Sequence, residues 1–296
     1  MNKVTVFGGS GFLGSHVSDA LSAAGYQVTI FDLQDSPWRT AEQTLVQGNI
    51  LDRDAVRAAV AGASLVFNFA GIAELDYALD KPFETAENNI LGNLNVLEAC
   101  RTEGVKRYLY ASTIYVYSKD GGFYRCSKHS SELFIEEYQR AFGVPYTILR
   151  YGSLYGLRSN HSNGVYRIVR RALEDGEIVY EGHPEALREY IHVEDAARSS
   201  VEMLQPQYEN QHVMLTGHKP MRVYDFLHLL GEMLGIEDKV RFIENTQPGH
   251  YVRTPYSYNP KIGLKYSPPF HVDLGQGVLN LVEEIDHALH AQKGTK

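Results

Sequence analysis

The sequence has few of the features that mark cross-linked, metal-stabilised or membrane proteins. Only two of its 296 residues are cysteines, Cys100 and Cys126. They form no Cys-x-x-Cys motif and no set of four Cys and His residues with zinc-site spacing, so we expect no disulfide and no structural metal. No apolar run reaches the length of a membrane span, and the first strand-like run ends at Gly8, unlike the core of a signal peptide. We therefore expect a cytoplasmic protein without a membrane partner.

Clusters of basic residues are also missing. The chain has 28 Lys and Arg residues against 36 Asp and Glu residues, a net charge of −8, and no basic stripe that would follow a phosphate backbone. Nucleic acid is therefore not an expected partner. Hydrophobic residues make up 44% and charged residues 22%, which excludes a disordered or fibrous chain and fits one large domain or two coupled lobes.

Short apolar runs alternate with longer amphipathic stretches through the first half of the chain. The strand candidates are KVTVF, QVTIFD, SLVFNFA, KRYLYAS and PYTILRY, and the helices predicted after the third and fourth of them cover residues 89–100 and 130–142. This alternation is typical of βαβ units around a parallel sheet. It predicts an α/β domain over residues 1–152.

The pattern changes after about Tyr151, where turn-forming residues become frequent. Helices are predicted over 165–174, 192–205, 223–234 and 278–290, with short strands near Ile178 and Val213. We expect a smaller α/β lobe over residues 153–296, from which the segment 192–216 returns to the first domain.

A glycine-rich loop follows the first predicted strand and opens a helix. Its sequence is Gly8-Gly9-Ser10-Gly11-Phe12-Leu13-Gly14. The spaced glycines permit a tight turn, a close approach to a pyrophosphate and close helix–strand packing, and the helix N-terminus attracts the negative charge. The loop predicts a doubly wound Rossmann-type domain that binds a dinucleotide, and the alternative is a purely structural glycine turn.

An acidic residue, Asp32, ends the second predicted strand. At this position a carboxylate can accept hydrogen bonds from an adenosine ribose and would repel a 2′-phosphate, which favours NAD over NADP. Two alternatives stay open: Asp32 can be an ordinary turn residue, and Arg39 nearby leaves NADP possible.

Tyr124 and Lys128 form a candidate catalytic pair. On a helix, residues four apart share a face, so Lys128 can lie beneath Tyr124 and favour its ionised form. A tyrosine tuned in this way can act as a general acid or base. Thr113, at the end of the strand KRYLYAS, is placed to hydrogen-bond the same substrate oxygen. The alternative is a surface Tyr–Lys pair.

The same spacing occurs in two other pairs. Tyr77 and Lys81 precede Pro82, which disfavours a helix just before it, and Tyr115 and Lys119 run into a turn. We therefore expect neither pair to share a helical face.

Taken together, these motifs resemble the extended short-chain dehydrogenase/reductase family, and especially its nucleotide-sugar 4-epimerases. The resemblance runs over most of the chain, with its motifs in family order: the loop 8–14, Asp32, Gly48-Asn49-Ile50-Leu51-Asp52, Phe69-Ala70-Gly71, Asn89 with Gly92, Thr113, Val116-Tyr117, Tyr124 with Lys128, Leu149-Arg150-Tyr151, and Arg188 to Asp195.

The resemblance implies a role for each matching residue. The cofactor NAD would contact Gly8, Gly11, Phe12, Leu13, Gly14, Asp32, Asn49, Ile50, Phe69, Ala70, Gly71, Asn89, Tyr124, Lys128 and Tyr151. The catalytic residues would be Thr113, Tyr124 and Lys128. A nucleotide-sugar substrate would contact Thr113, Ser153, Arg188 and Arg253, with Arg188 aimed at the diphosphate. The alternative for Arg188 is an ion pair with Glu185 or Glu189, and for Arg253 a solvated surface charge. The family further suggests a homodimer that pairs the helices 89–100 and 130–142.

The chain departs from the family at positions that decide the reaction. In the dehydratases Asp and Glu follow the threonine, and the decarboxylases carry a Glu at the second of these positions, whereas this chain has Ile114 and Tyr115. An epimerase needs neither carboxylate, so we expect a 4-epimerase. The alternatives are a dehydrogenase or reductase, a dehydratase, and a non-catalytic NAD-binding regulatory protein.

Other departures concern the sugar. Ser153 replaces the family's Asn, Gln247-Pro248-Gly249-His250 replaces its usual Arg-Pro-Gly-Asp, and the segment between Thr113 and Tyr124 is short. The sequence therefore leaves the identity of the sugar and of the nucleotide base open.

Overall fold

A computed structural model describes residues 2–243, 264–268 and 270–293. The strands are β1 (Lys3–Phe7), β2 (Gln27–Asp32), β3 (Thr44–Gln47), β4 (Leu65–Asn68), β5 (Arg107–Thr113), β6 (Tyr146–Tyr151), β7 (Ser153–Tyr155), β8 (Ile178–Glu181), β9 (Leu187–Arg188), β10 (Tyr190–His192), β11 (Gln211–Leu215), β12 (Met221–Arg222), β13 (Val240–Ile243) and β14 (Leu264–Tyr266). Five of the first six coincide with the predicted apolar runs, and β3 was missed because its four residues carry no clear alternation.

The α-helices are α1 (Phe12–Ala23), α2 (Arg53–Val60), α3 (Leu75–Asp80), α4 (Pro82–Ala86), α5 (Gly92–Glu103), α6 (Gly122–Phe142), α7 (Gly164–Asp175), α8 (Val193–Glu202), α9 (Val223–Leu234) and α10 (Leu274–Lys293). A π-helix over Glu87–Leu91 precedes α5, and short 3₁₀-helices cover Ile114–Tyr117, Pro206–Tyr208 and Glu237–Lys239. No described helix is both long and apolar enough to cross a bilayer.

One parallel sheet organises the fold, with the strand order β14-β11-β6-β5-β4-β1-β2-β3. From β1 the chain adds β2 and β3 on one side and then β4, β5 and β6 on the other. The order therefore reverses between β1 and β4, the position where doubly wound sheets open a crevice at their carboxyl edge. The predicted Rossmann-type α/β fold is confirmed.

Helices cover both faces of this sheet and bury its apolar side chains. On one face α2, α5 and α6 contribute Val56, Leu97 and Ile135 to a core with Phe7 and Phe31. On the opposite face α1 and α8 contribute residues such as Val17 and Ala196 to a second core. Since the interiors of β1, β2, β4, β5 and β6 are buried on both faces, their sequences are continuously apolar rather than alternating.

The second half of the chain forms a smaller cluster and also returns to the sheet. Helices α7, α9 and α10 pack around Val169, Phe226 and Leu281, next to short ladders that pair β8 with β13 and β9 with β12. β11 joins the main sheet, and α8 packs against α1. β14 joins the same sheet, a second return that the sequence did not indicate because only three residues form it.

Candidate active site

The glycine loop lies at the carboxyl end of β1, where the strand order reverses. Gly8 has a φ of +73°, and a Cβ atom on it would stand 2.6 Å from the Ala70 backbone nitrogen. A Cβ on Gly14 would stand 2.1 Å from the Gly8 carbonyl oxygen. Only glycine fits these two contacts, which bring the loop, the start of α1 and the loop after β4 together.

The N-terminus of α1 fits a phosphate group. Gly11 caps this helix without a side-chain hydrogen bond, so no capping side chain occupies the N–H groups of the first turn. Leu13 is buried in the core and Phe12 packs against that core. Their predicted contact with the cofactor would therefore come from backbone N–H groups and not from side chains.

Asp32 is held against the glycine loop. Its carboxylate accepts hydrogen bonds from the Ser10 N–H at 3.0 Å and from the Gln34 N–H at 3.3 Å. The side chain is partly exposed at the end of β2, the position predicted for a ribose contact. Arg39, the residue that left NADP open, is paired with Asp35 at 3.3 Å.

The loop after β3 lies beside Asp32, since the Gly48 N–H donates to the Asp32 carbonyl at 2.9 Å. Asn49 is exposed, and its side-chain oxygen accepts a hydrogen bond from the Leu51 N–H at 2.9 Å. Ile50 is buried against α5, where a Cβ on Gly92 would come within 2.7 Å of it. These two predicted NAD contacts therefore differ, and of the two only Asn49 presents its side chain to solvent.

The loop after β4 is fixed by asparagine side chains. The Ala70 N–H donates to Asn68 Oδ1 at 3.1 Å. Asn89, in the π-helix, accepts from the Ile72 N–H at 2.7 Å and donates to the Ile72 carbonyl at 2.9 Å and to Ser127 Oγ at 2.8 Å. Both amide hydrogens of Asn89 are thus used within the protein, and it ties the loop to α6.

Phe69 and Gly71 belong to the same loop. The Phe69 N–H donates to the Phe7 carbonyl at 2.8 Å, which continues the β1–β4 ladder. Gly71 has a φ of +144°, and a Cβ on it would stand 2.5 Å from Asn89 Oδ1 and 4.0 Å from Lys128 Nζ. The absence of a side chain at Gly71 therefore brings the loop backbone close to the predicted catalytic lysine.

Tyr124 and Lys128 lie one turn apart on α6, and Thr113 lies at the end of β5. Lys128 is 5% exposed, with its Nζ 2.9 Å from the Ala111 carbonyl oxygen and 6.0 Å from the centre of the Tyr124 ring. Thr113 is also 5% exposed and caps the 3₁₀-helix by accepting from the Tyr115 N–H at 3.3 Å. The structure brings the three predicted catalytic residues together.

Burial dominates the ionisation of the pair. It raises the pKa of Tyr124 to about 12, and hydrogen bonding with Thr113 opposes this shift. It lowers the pKa of Lys128 to about 8, against the opposing charge of Glu132. In the protein alone, Lys128 therefore does not give Tyr124 the lowered pKa that the sequence suggested.

The other two Tyr–Lys pairs differ from the first. Tyr77 lies in the short helix α3, contrary to our expectation, and the Lys81 N–H donates to its carbonyl at 2.8 Å. Its exposed hydroxyl donates to Glu84 Oε2 at 2.7 Å. Pro82 tolerates this helix because it begins the next one, α4. Tyr115 lies in the 3₁₀-helix, where its ring meets the Tyr124 ring edge-on at 6.4 Å.

Tyr151, one of the predicted NAD contacts, has its hydroxyl directed toward α8. It is buried, and its hydroxyl lies 2.7 Å from Ser200 Oγ on α8. Burial raises its pKa above the ordinary tyrosine value. Any contact with a cofactor would therefore come from the Tyr151 backbone or ring edge.

The predicted substrate residues lie beyond β6. Ser153 begins β7, and its N–H donates to the Glu189 carbonyl at 3.0 Å. Arg188 is 7% exposed, and its Nη1 donates to the Leu187 carbonyl at 2.9 Å. Glu185 pairs with Arg222, and Glu189 pairs with Lys265. Arg253 and the segment 247–250 lie outside the described residues.

Residues 4–215 match the NAD dependent epimerase/dehydratase family. The chain belongs to this family. Family membership identifies NAD as the cofactor, in agreement with the fit of the glycine loop and Asp32.

The alignments with related proteins extend over nearly the whole chain. A putative UDP-glucose 4-epimerase of Methanocaldococcus jannaschii is 24% identical over 94% of this chain and 97% of its own length. A UDP-N-acetyl-alpha-D-glucosaminuronate decarboxylase of Bacillus cytotoxicus is 23% identical over 95% and 97%. The crystal structure of a UDP-glucose 4-epimerase from Thermotoga maritima, determined with UDP-glucose, superposes with a TM-score of 0.85 at 25% identity, covering 97% of this chain and 99% of that one.

Proposed function

We propose that this family member is a nucleotide-sugar 4-epimerase. The observation that carries the proposal is the pairing of Tyr115 with Tyr124, whose rings meet at 6.4 Å. Tyr115 stands at the position where the resemblance places a glutamate in dehydratases and decarboxylases. The acid or base for water loss or decarboxylation is therefore replaced by an aromatic ring, while the Tyr–Lys–Thr arrangement for alcohol oxidation is kept.

The chemistry assigned to the protein is proton transfer at one sugar oxygen. Tyr124 removes the proton from the hydroxyl at C4 and later returns it, and Thr113 holds the same oxygen by a hydrogen bond. Lys128 contributes a positive charge beneath Tyr124, which favours the phenolate. NAD, when bound, would supply a reversible hydride acceptor for C4, and its oxidised form would add a positive charge to the site.

Epimerisation then requires the keto sugar to turn within the site. If the hydride returns to the opposite face of C4, the product is the epimer and no net oxidant is consumed. We assign the diphosphate to Arg188, with Ser153 and Arg253 as further substrate contacts, because a diphosphate held in place would retain the intermediate while the hexose rotates.

We further propose that residues 1–152 and 192–216, with β14, form the cofactor domain and that the remaining residues of 153–296 form the substrate lobe. The crevice between them would bind the nucleotide sugar. The cofactor contacts proposed for this domain are those that the resemblance implied, with Asn89 acting through the loop that it fixes.

A homodimer is the proposed assembly. The outer face of α6 exposes Leu133 (56%), Phe134 (42%) and Phe142 (57%), next to Leu91 (52%) before α5. Large exposed apolar side chains grouped on neighbouring helices favour a protein partner. Leu133→Glu should convert a dimer to a monomer in sedimentation, whereas Leu279→Glu on α10 should not. A wild-type monomer at micromolar concentration would contradict the assembly.

The function is tested on the purified protein in two steps. First, the protein is denatured without added cofactor, and NAD and NADH are quantified per chain. We expect nearly one nucleotide per chain. Second, a panel of UDP- and dTDP-sugars is followed by proton NMR without added cofactor. Formation of a 4-epimer supports the proposal, while turnover only with added NAD or NADH would indicate a net oxidoreductase.

A further inference from the structure

A buried ion pair lies directly behind the catalytic lysine. Glu132 follows Lys128 by one turn of α6 and is 2% exposed. Arg150, in β6, is 7% exposed and donates to the Glu132 carboxylate from Nε at 2.9 Å and from Nη2 at 2.6 Å. These two hydrogen bonds, one to each carboxylate oxygen, fix the position of α6 relative to β6 at this point.

Two more side chains complete this network. Ser112 in β5 donates from Oγ to Glu132 Oε1 at 2.5 Å. Arg150 donates from its remaining nitrogen, Nη1, to the Tyr117 hydroxyl, and its guanidinium carbon lies 4.6 Å from the centre of the Tyr117 ring. The network therefore connects β5, β6, the 3₁₀-helix and α6, the four elements that surround Thr113, Tyr124 and Lys128.

Of the two charges in this pair, that of Glu132 acts on Lys128. Lys128 is surrounded by neutral groups: the Tyr110 ring of β5, centred 4.9 Å from Nζ, the Ala111 carbonyl, the Tyr124 ring and the loop at Gly71. Glu132 favours the ammonium form of Lys128, against the effect of burial. Arg150 neutralises part of the Glu132 charge and so reduces the stabilisation that Glu132 gives to the ammonium form of Lys128.

Stability alone gives a weak reason for such a pair. Removing two charges from water costs more free energy than burying apolar side chains of similar volume, so a buried ion pair is often replaceable without loss of stability. A pair placed one turn from a buried lysine has a second effect, because a carboxylate in a low-dielectric interior acts strongly on a neighbouring ammonium group.

We propose that Glu132 and Arg150 are positioning residues for the reaction: the Glu132 carboxylate favours the positive charge on Lys128, and the ion pair fixes α6, which carries Tyr124 and Lys128, against β6. Tyr124, Lys128 and Glu132 thus follow one another at single-turn spacing on α6. Arg150 is the counter-charge that limits the effect of Glu132 on Lys128. This inference rests on the proposed function, because it assigns Lys128 a role in ionising Tyr124.

The test measures the ionisation of Lys128 directly. The protein is labelled with ε-¹³C-lysine, and the Lys128 signal is identified by its loss in Lys128→Met and followed with pH. Glu132→Gln should lower the titration midpoint of Lys128 by about one pH unit, since it removes the nearby negative charge. Arg150→Gln should raise it. The double variant should fall between the two single variants.

Further variants control for the loss of an ion pair on α6 and for a variant that does not fold. Glu137→Gln and Arg140→Gln remove an ion pair of the same kind and helix, exposed and 2.6 Å apart, and should leave the Lys128 midpoint unchanged. If Glu132→Gln alone does not fold, the double variant and Arg150→Gln still show in which direction each charge shifts the Lys128 titration midpoint. A purely structural role would lower thermal stability without moving the midpoint in opposite directions.

The result is independent of the substrate. Opposite shifts in the two single variants support the proposal even if no tested sugar is epimerised, and an unchanged midpoint in both overturns it. Where a substrate is found, the alkaline limb of kcat against pH should move in the same directions as the lysine midpoint. If the alkaline limb of kcat stays in place while the Lys128 midpoint moves, the proposed role of the pair in turnover is overturned.

Discussion

The Lys128 ammonium group donates a hydrogen bond to the Ala111 carbonyl at 2.9 Å from a position that is almost completely buried. One neutral acceptor does not replace the water that surrounds an exposed ammonium group, and burial accordingly lowers the pKa of Lys128 to about 8. The protein keeps this lysine at the cost of stability, because the folded state must desolvate it.

This cost predicts a dependence of stability on pH. The folded pKa of about 8 lies below the ordinary value of 10.5, so between these two values the unfolded chain binds more protons. Stability of the cofactor-free protein should therefore rise with pH in this window, and the charged lysine should be most costly below pH 8.

Lys128→Met removes this dependence. The free energy of unfolding of Lys128→Met minus that of wild type should be largest near pH 7. This difference should fall by roughly 2 kcal/mol between pH 8 and pH 10. Urea denaturation across this range measures it, with Lys106→Met at an exposed position as the control. A difference that does not vary with pH would show that burial does not shift the lysine.

Gly14 tests the cofactor loop. Alanine at this position would place Cβ 2.1 Å from the Gly8 carbonyl oxygen, so the loop must move away from the start of α1. We expect Gly14→Ala to fold and to lose most of its bound NAD, measured after denaturation. Gly164→Ala, in helix α7 with open space around it, should retain NAD. Equal retention in both variants would contradict the assignment.

Tyr124 tests the acid–base role. Tyr124→Phe keeps the ring and removes the hydroxyl, so turnover should fall by a factor of about one hundred or more while the NAD content stays the same. Tyr77→Phe alters the exposed tyrosine of another Tyr–Lys pair and should keep full turnover. Unchanged turnover in Tyr124→Phe would refute the role.

Gly121 tests the contact between Tyr115 and the start of α6. Gly121 has a φ of +92°, and a Cβ there would stand 2.7 Å from Tyr115 Cδ1. Gly143, at the other end of α6, has a similar φ of +71° but open space. Both Gly→Ala variants should lose about 1 kcal/mol of stability from backbone strain.

Only Gly121→Ala should also displace Tyr115 and lower turnover. The measurements are thermal unfolding for both variants and kcat for each. Equal kcat values in the two variants would mean that the position of the Tyr115 ring has no effect on the reaction.

The sequence predicted those parts of the fold that depend on periodicity and on glycine. The apolar runs matched β1, β2, β4, β5 and β6, because strands buried on both faces carry a local signal. The loop 8–14 and the Tyr124–Lys128 pair were likewise predictable from their context. The glycines follow a predicted strand and open a helix, and this Tyr–Lys pair, unlike the other two, precedes neither a proline nor a turn.

Features decided by tertiary contacts were not predictable in this way. The strand β14 has three residues, and only its pairing with β11 defines it. Tyr151 was placed beside the cofactor, yet its hydroxyl lies against Ser200, a residue distant in sequence. Glu132 shares the helical spacing of Tyr124 and Lys128, a signal that the sequence did contain, but its partner Arg150 becomes apparent only when α6 packs on β6.

The most direct test of the proposed 4-epimerase follows the hydrogen at C4. A nucleotide sugar that the protein converts is prepared with deuterium at C4 and incubated in ordinary water without added cofactor. We predict that the 4-epimer retains deuterium at C4 and that NADH does not accumulate beyond the bound amount. Deuterium at another carbon after loss of water, deuterium transferred to added NAD, or no 4-epimer from any sugar of the panel would contradict the account.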